Sequence, residues 1–216
     1  MSGASISIKQ SEPGSARPRA AGSGALPGAK PGEDALRTAT HLRLALGPEE
    51  RSLAITGLEV SDGAAALALE VAAALALLGQ APVVLLTATP DTPQARTPGL
   101  AEVLEDDATL DQALHESAFA GLSLLPAGGP PGTPLAAFSM PEYGALLTAL
   151  EERFRYVVVD AGPLRRPESL PLIARCDAVA VALAEGLRRR RDALEAQQEI
   201  ARLKARRLGV ILTRRK

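Results

Sequence analysis

The stretch from Arg51 to Gln80 contains the residues best placed for chemistry. It reads RSLAITGLEVSDGAAALALEVAAALALLGQ, which predicts an apolar strand at Leu53–Thr56, a loop at Gly57–Asp62 and a helix that opens at Gly63. Strand, loop and buried helix in this order form the phosphate-binding unit of nucleotide-binding α/β proteins, because free N–H groups at the helix start attract anions.

The side chains that would hold a phosphate are missing from this unit. Phosphoryl transfer needs a lysine on the β/γ oxygens and a hydroxyl on Mg²⁺, which the pattern G-x-x-x-x-G-K-S/T supplies. The first glycine position is Leu58, and Asp62 adds negative charge beside the site. A triphosphate bound here would lose a charge-assisted contact worth about 1.5–3 kcal/mol and a metal ligand. The last glycine and the next three positions of the pattern are Gly63, Ala64, Ala65 and Ala66.

The rest of the chain alternates helical and strand patterns. Such alternation predicts an α/β fold: a mostly parallel, twisted sheet with helices on both faces, similar to P-loop NTPases. Further strands are predicted at Pro82–Ala88, Leu122–Pro126, Tyr156–Asp160, Ala178–Leu183 and Leu208–Leu212. Further helices are predicted at Glu33–Leu46, Gly99–Leu104, Thr109–His115, Met140–Phe154, Pro167–Arg175 and Leu187–Arg206.

Composition limits the classes of function. Residues 1–32, rich in Gly, Ser, Pro and Ala, predict a disordered tail, and residues 33–216 a single domain. A net charge of −1 gives no reason to expect nucleic-acid binding. Cys176 is the one cysteine, and two distant histidines do not suggest zinc. The run Ala64–Leu78 is shorter than the ~20 residues that span a bilayer and has Glu70 in its middle, so no membrane span is expected.

Three other segments match a known family in order and spacing. Gly99–Leu104 (GLAEVL) matches a GL-x-x-VL segment, Leu125–Gly128 (LPAG) with the prolines after it matches LPAG-x-x-PPNP, and Leu208–Thr213 (LGVILT) matches LGVVLN. In these respects the chain resembles, from about Glu33 to Arg214, the cytoplasmic domain of bacterial tyrosine autokinases, the BY-kinases. The resemblance implies a role in capsular and exopolysaccharide synthesis and export, and a place in the P-loop class that also contains MinD and ParA.

The resemblance also implies where the metal-binding acids should be. The family has L-I-D-A-D after its second strand, and both carboxylate positions are threonines in this chain, Thr87 and Thr89. Threonine cannot neutralise Mg²⁺ or act as a base near neutral pH. The family's third signature, D-x-P-P, is partly kept at Asp160, which is either a remnant metal-shell residue or a structural aspartate capping the turn into Gly162.

Two further family features are weak in this sequence. The E-x-x-R-x-x-R pattern that members use to assemble rings falls on Glu33, Leu36 and Ala39. Active members also end in a tyrosine cluster, whereas the two tyrosines here, Tyr143 and Tyr156, lie in predicted core elements.

Three hypotheses follow. The first is a pseudokinase with no catalytic residues and no cofactor, which binds the cytoplasmic segment of an inner-membrane polysaccharide co-polymerase. The chain would then be cytoplasmic, a partner could hold it at the inner membrane, and a homo-oligomer stays open. The second is a MinD/ParA-like ATPase using ATP and Mg²⁺, in which Arg165, Arg166 or an arginine of a partner replaces the lysine. The third is a switch that binds nucleotide without hydrolysing it.

Overall fold

Seven strands form a single sheet in this computed structural model, which describes residues 30–88, 98–129, 140–186, 190–203 and 205–214. The strands, numbered along the chain, are β1 Ser52–Gly57, β2 Val83–Thr87, β3 His115–Glu116, β4 Leu122–Leu125, β5 Tyr156–Pro163, β6 Ala178–Ala184 and β7 Arg206–Thr213. Helices of the described residues are α1 Glu33–Ala45, α2 Ala64–Gly79, α3 Leu100–Leu104, α4 Leu110–Ala113, α5 Pro141–Arg153, α6 Ser169–Arg175 and α7 Arg190–Ala201.

The sheet order is β3-β4-β2-β5-β1-β6-β7. In the described part of the chain every pairing is parallel except that of β3 with β4. The central strands β1, β5 and β6 are buried along their whole length. Continuous burial explains why these strands are mostly apolar and do not alternate apolar with polar residues, since helices cover both faces of a parallel sheet.

Each face of the sheet has its own core. On one face α1 and α2 pack on side chains such as Leu53, Ile55 and Val158. On the other face helices α3 to α7 pack on the alternate side chains of the same strands, including Ala54, Val157 and Val159. The two cores follow from the period of two along a strand, which sends neighbouring side chains to opposite faces.

The predicted α/β fold is confirmed, with corrections near the carboxyl end. The last helix was predicted to reach Arg206, but it ends at Ala201, and Arg206 begins β7. Leu194, a predicted core residue, is 47% exposed, because Ala196 and Ile200 form the buried face of α7. The sequence also gave no sign of the two-residue strand β3.

Two further expectations concern the N-terminal tail and a membrane span. Residues 1–29 of the predicted tail lie outside the described residues, so the disorder of the tail stays a prediction. Within the described ranges, every helix is too short or too polar to cross a bilayer.

Candidate functional site

The loop between β1 and α2, residues 58–63, lies at the carboxyl edge of the sheet. β1 lies next to β5. The helix α2 carries the chain from β1 to β2 on one face of the sheet, and α6 carries it from β5 to β6 on the other face, so the connections diverge between β1 and β5. Crevices of this kind, at the carboxyl ends of strands where the connections diverge, are the usual ligand sites of open α/β sheets. The predicted phosphate-binding unit therefore occupies the position where a ligand would bind in this fold.

The start of α2 offers methyl groups to this edge. Gly63 precedes the helix with a left-handed backbone, φ 73° and ψ 24°, which glycine adopts without strain. Ala64 is buried, whereas Ala65 and Ala66 are exposed. At the positions predicted for a phosphate-binding unit the side chains thus carry neither a positive charge nor a hydroxyl ligand for Mg²⁺.

The loop forms internal hydrogen bonds. Residues Val60–Asp62 make one 3-10 turn, in which the N–H of Asp62 donates to the carbonyl of Glu59 (3.1 Å). The N–H of Gly63 donates to the carbonyl of Val60 (3.2 Å). In an anion-binding loop successive N–H groups point at the ligand instead.

Asp62 is fully buried under this loop. Its Oδ2 accepts from the N–H of Glu59 (2.9 Å), and its Oδ1 accepts from the N–H of Ala184 at the end of β6 (3.0 Å). The hydroxyl of Thr213, at the end of β7, donates to the carbonyl of Asp62 (2.7 Å). Sequence reasoning placed this carboxylate beside the site, whereas the structure places it inside the fold.

The structure brings together two of the predicted acidic positions. Thr87 and Asp160 are register partners at the ends of β2 and β5, and Asp160 is also the partner of Ile55 on β1. Asp160 is buried, and its Oδ1 accepts from the N–H of Gly162 (3.1 Å). This is the turn-capping contact expected of a structural aspartate. Thr89 lies outside the described residues.

A pair of substitutions at Asp160 separates the effect of its acceptor oxygen from the effect of its negative charge. We expect Asp160→Ala to cost about 1–3 kcal/mol in the free energy of unfolding, because the buried N–H of Gly162 loses its acceptor. Asp160→Asn keeps an oxygen in that place and should cost less than half as much, as measured by urea denaturation at neutral pH. Equal losses for the two variants would show that the negative charge, and not the acceptor, is what the site needs.

Arg165, one candidate replacement for the lysine, forms two ion pairs. Its Nη1 lies 2.8 Å from Oε1 of Glu59 in the β1–α2 loop, and its Nη2 lies 3.6 Å from Oε2 of Glu195 on α7. Beside these pairs is a cavity of about 260 Å³, smaller than the roughly 300–1,000 Å³ of typical small-molecule pockets. The cavity is lined chiefly by Leu58, Leu164, Arg166, Leu170, Glu195 and Glu199.

Both tyrosines of the sequence are core residues, in agreement with the prediction. Tyr143 on α5 has no exposed surface, and Tyr156 at the start of β5 is 6% exposed. Burial raises the pKa of the Tyr143 hydroxyl well above its ordinary value. A tyrosine in either place can accept a phosphoryl group only if the surrounding core opens.

Other predicted positions carry little chemistry in the structure. On α1, Arg37 pairs with Asp34 (2.9 Å), and Ala39 is buried against α2. Across the described ranges no three His, Cys, Asp or Glu side chains are grouped so that they could hold a metal ion.

Two of the segments that suggested a family lie in contact. The N–H of Leu100 donates to the carbonyl of Pro126 (2.8 Å), and the N–H of Ala101 donates to that of Ala127 (3.0 Å). Glu102 reaches across and accepts from the N–H of Gly129 (2.9 Å). These contacts place the two segments side by side in the fold.

Comparison with known proteins finds tyrosine kinases that are similar to this chain in sequence and in fold. The tyrosine-protein kinase CpsD of Streptococcus agalactiae is 23% identical over 176 residues, which cover 78% of this chain and 77% of that protein. The BceF tyrosine kinase domain has the same fold, with a TM-score of 0.75, 24% identity, and coverage of 83% and 76% of the two chains. This chain is similar to bacterial tyrosine kinases in sequence and in fold. No protein-family model matches the sequence.

One protein with the same fold was solved with a bound nucleotide. Cobyrinic acid a,c-diamide synthase from Mycobacterium smegmatis, solved with bound ADP and magnesium, also shares the fold at a TM-score of 0.62 and 22% identity, with 76% and 74% of the chains covered. Nucleotide binding thus occurs on this fold, in a protein that is 22% identical to the present chain. Whether the present chain binds a nucleotide depends on its own β1–α2 loop.

Proposed function

We propose that this chain is a catalytically inactive tyrosine-kinase-like protein that regulates the synthesis and export of exopolysaccharide or capsular polysaccharide. It acts by binding the cytoplasmic part of a membrane polysaccharide co-polymerase. The observation that carries the proposal is the β1–α2 loop: methyl groups stand at Ala64, Ala65 and Ala66, and the N–H groups of Asp62 and Gly63 donate within the loop. Such a loop has nothing to neutralise the charge of a triphosphate.

The other predicted positions support the same conclusion. Thr87 supplies no carboxylate beside Asp160. Mg²⁺ is usually held by one or two carboxylates together with substrate phosphates. Here the single carboxylate already accepts a backbone N–H, and the loop has no lysine or hydroxyl to hold the phosphates and the metal. Both tyrosines are buried, so this sequence has no exposed tyrosine to phosphorylate. The loop that would bind ATP, the carboxylates that would bind Mg²⁺ and the tyrosines that would accept the phosphoryl group are therefore all unsuited to autophosphorylation.

The catalytic half of the proposal is tested with ATP and Mg²⁺. We expect no rise in melting temperature, no phosphate release above that of buffer, and no phosphotyrosine. The BceF kinase domain serves as the positive control. A ligand present at 100 times its Kd stabilises a protein by about 2.7 kcal/mol, which shifts melting by several degrees, so binding would be visible. Mg²⁺-dependent turnover abolished by Asp160→Asn would refute the inactive state.

The binding half needs the partner itself. We expect the cytoplasmic segment of a co-polymerase encoded beside this chain to form a complex with it on size-exclusion chromatography, with or without ATP. A cytoplasmic segment from an unrelated co-polymerase is the control. A complex that forms only with ATP would support the second candidate below.

A nucleotide-binding switch without hydrolysis is the second candidate. It is favoured by the survival of Gly63 and of a 16-residue helix directly after it, whose N-terminal dipole attracts anions. Arg165 offers it little, since that side chain is paired with Glu59 and Glu195. The melting experiment, repeated with ADP, separates the switch from the inactive scaffold.

A further inference from the structure

A single residue fastens the β1–α2 loop to its surroundings. The carboxylate of Asp62 holds the N–H of Glu59 within the loop and the N–H of Ala184 at the end of β6, at 2.9 and 3.0 Å. The carbonyl of the same residue accepts from the hydroxyl of Thr213 on β7 (2.7 Å). Asp62 therefore joins the loop to two strands that arrive from distant parts of the chain.

These contacts occupy donors that an anion would need. Glu59 donates its N–H to the Asp62 carboxylate, while Asp62 and Gly63 donate theirs to carbonyls of the loop itself. A phosphate bound in such a loop replaces internal acceptors of this kind, because its oxygens take the N–H groups. We propose that Asp62 is an internal latch that keeps the loop closed to phosphate-bearing ligands.

Packing supports the closed state. A Cβ added to Gly57 would lie 2.8 Å from the Cβ of Asp62, closer than side chains normally approach, so Asp62 sits directly against the end of β1. Opening the loop would move a fully buried carboxylate away from two N–H groups. A phosphate entering beside it would also meet like charge, and repulsion between charges is strong where water is excluded.

The latch rests on the proposed function, in that it explains why the loop does not accept a nucleotide. It adds a specific cause, since the missing lysine alone would weaken an open site without closing it. The proposal therefore predicts a gain of binding when the carboxylate is removed, although Ala64, Ala65 and Ala66 are unchanged.

The test compares the wild type with Asp62→Asn and Asp62→Gly, and uses Val60→Ala as the control. Val60 lies in the same turn but is 72% exposed, so its truncation leaves the latch intact. Inorganic pyrophosphate and Mg²⁺-free ADP are titrated while the backbone amide resonances of residues 58–66 are followed. We expect both Asp62 variants to bind pyrophosphate about tenfold more tightly than the wild type or Val60→Ala, a difference of about 1.4 kcal/mol. Variants that fold and bind no more tightly would overturn the latch.

Hydrogen exchange gives a second readout. In the wild type the amides of Glu59 and Ala184 should be protected, and Asp62→Asn should speed their exchange about tenfold. If the Asp62 variants do not fold, Thr213→Val removes only the contact to the Asp62 carbonyl, and it should speed exchange at the amides of Asp62 and Gly63. Unchanged exchange in the variant that folds contradicts the proposal.

The two proposals fail in different ways. Mg²⁺-dependent turnover of ATP by the wild type would refute the inactive state proposed above. Equal pyrophosphate binding by the wild type and the Asp62 variants would refute the latch and leave the inactive state standing.

Discussion

Replacing Leu75 by alanine is expected to lower the free energy of unfolding by about 2–5 kcal/mol. Leu75 is on α2 and has no exposed surface, and it packs in the core between that helix and the sheet. The substitution removes buried methyl groups and leaves a cavity, because packed surroundings relax only partly. Urea denaturation with a fluorescent label at an exposed site measures the loss, since the chain has no tryptophan.

Leu77→Ala is the matched control on the same helix. Leu77 is two residues further on and 50% exposed, so we expect its truncation to change the free energy of unfolding by no more than about 0.5 kcal/mol. Similar losses for the two variants would mean that α2 is rotated relative to the arrangement described above.

The alanines at the start of α2 bear on the stability of this helix. Alanine is the best helix former, so alanines at the start of α2 favour the helix intrinsically. A lysine or serine there would have to keep its polar groups satisfied at an edge where Ala64 is buried. A helix that begins with alanines can therefore be at least as stable as one that begins with a lysine and a serine, which is consistent with the proposed scaffold role.

The central strands and the long helix could be predicted because their patterns are local. Residues 83–86 and 178–183 are unbroken apolar runs, and α2 is apolar over its 16 residues apart from Glu70. The end of α7 could not be predicted, because arginine is a good helix former and the run around residues 202–206 carries no stop signal. Pairing of Arg206 with Ala178 on β6 decides that end, and this is a contact across the fold.

The position of the candidate site in the β1–α2 loop could be predicted from the sequence. The hydrogen bonds by which Asp62 holds this loop could not. The order of strand, loop and helix placed Gly63 correctly, and the missing lysine can be read directly from the sequence. The role of Asp62 depends on Ala184 and Thr213, which lie 122 and 151 residues away along the chain. The one local signal was the spacing of Glu59 and Asp62, which allows the carboxylate to cap its own turn.

Replacing Gly99 by alanine is expected to cost about 3 kcal/mol in the free energy of unfolding, at the upper end of the range for overpacking. An added Cβ would lie 2.4 Å from the carbonyl oxygen of Pro126 and 2.5 Å from the nitrogen of Gly128. Both are backbone atoms, which cannot move aside as a flexible side chain can. The substitution would separate the two segments by which the chain resembles the kinases, residues 99–104 and 125–128.

Gly79→Ala makes the same chemical change where there is room. A Cβ at Gly79, the last residue of α2, meets nothing closer than the Cβ of Ala81 at 3.7 Å. We expect this control to leave stability unchanged or to raise it by up to about 1 kcal/mol, because alanine favours a helix over glycine. Urea denaturation of both variants under the same conditions measures the difference. A Gly99→Ala variant as stable as the control would show that the two segments do not pack this closely, and the contact of α3 with the chain after β4 would have to be redrawn.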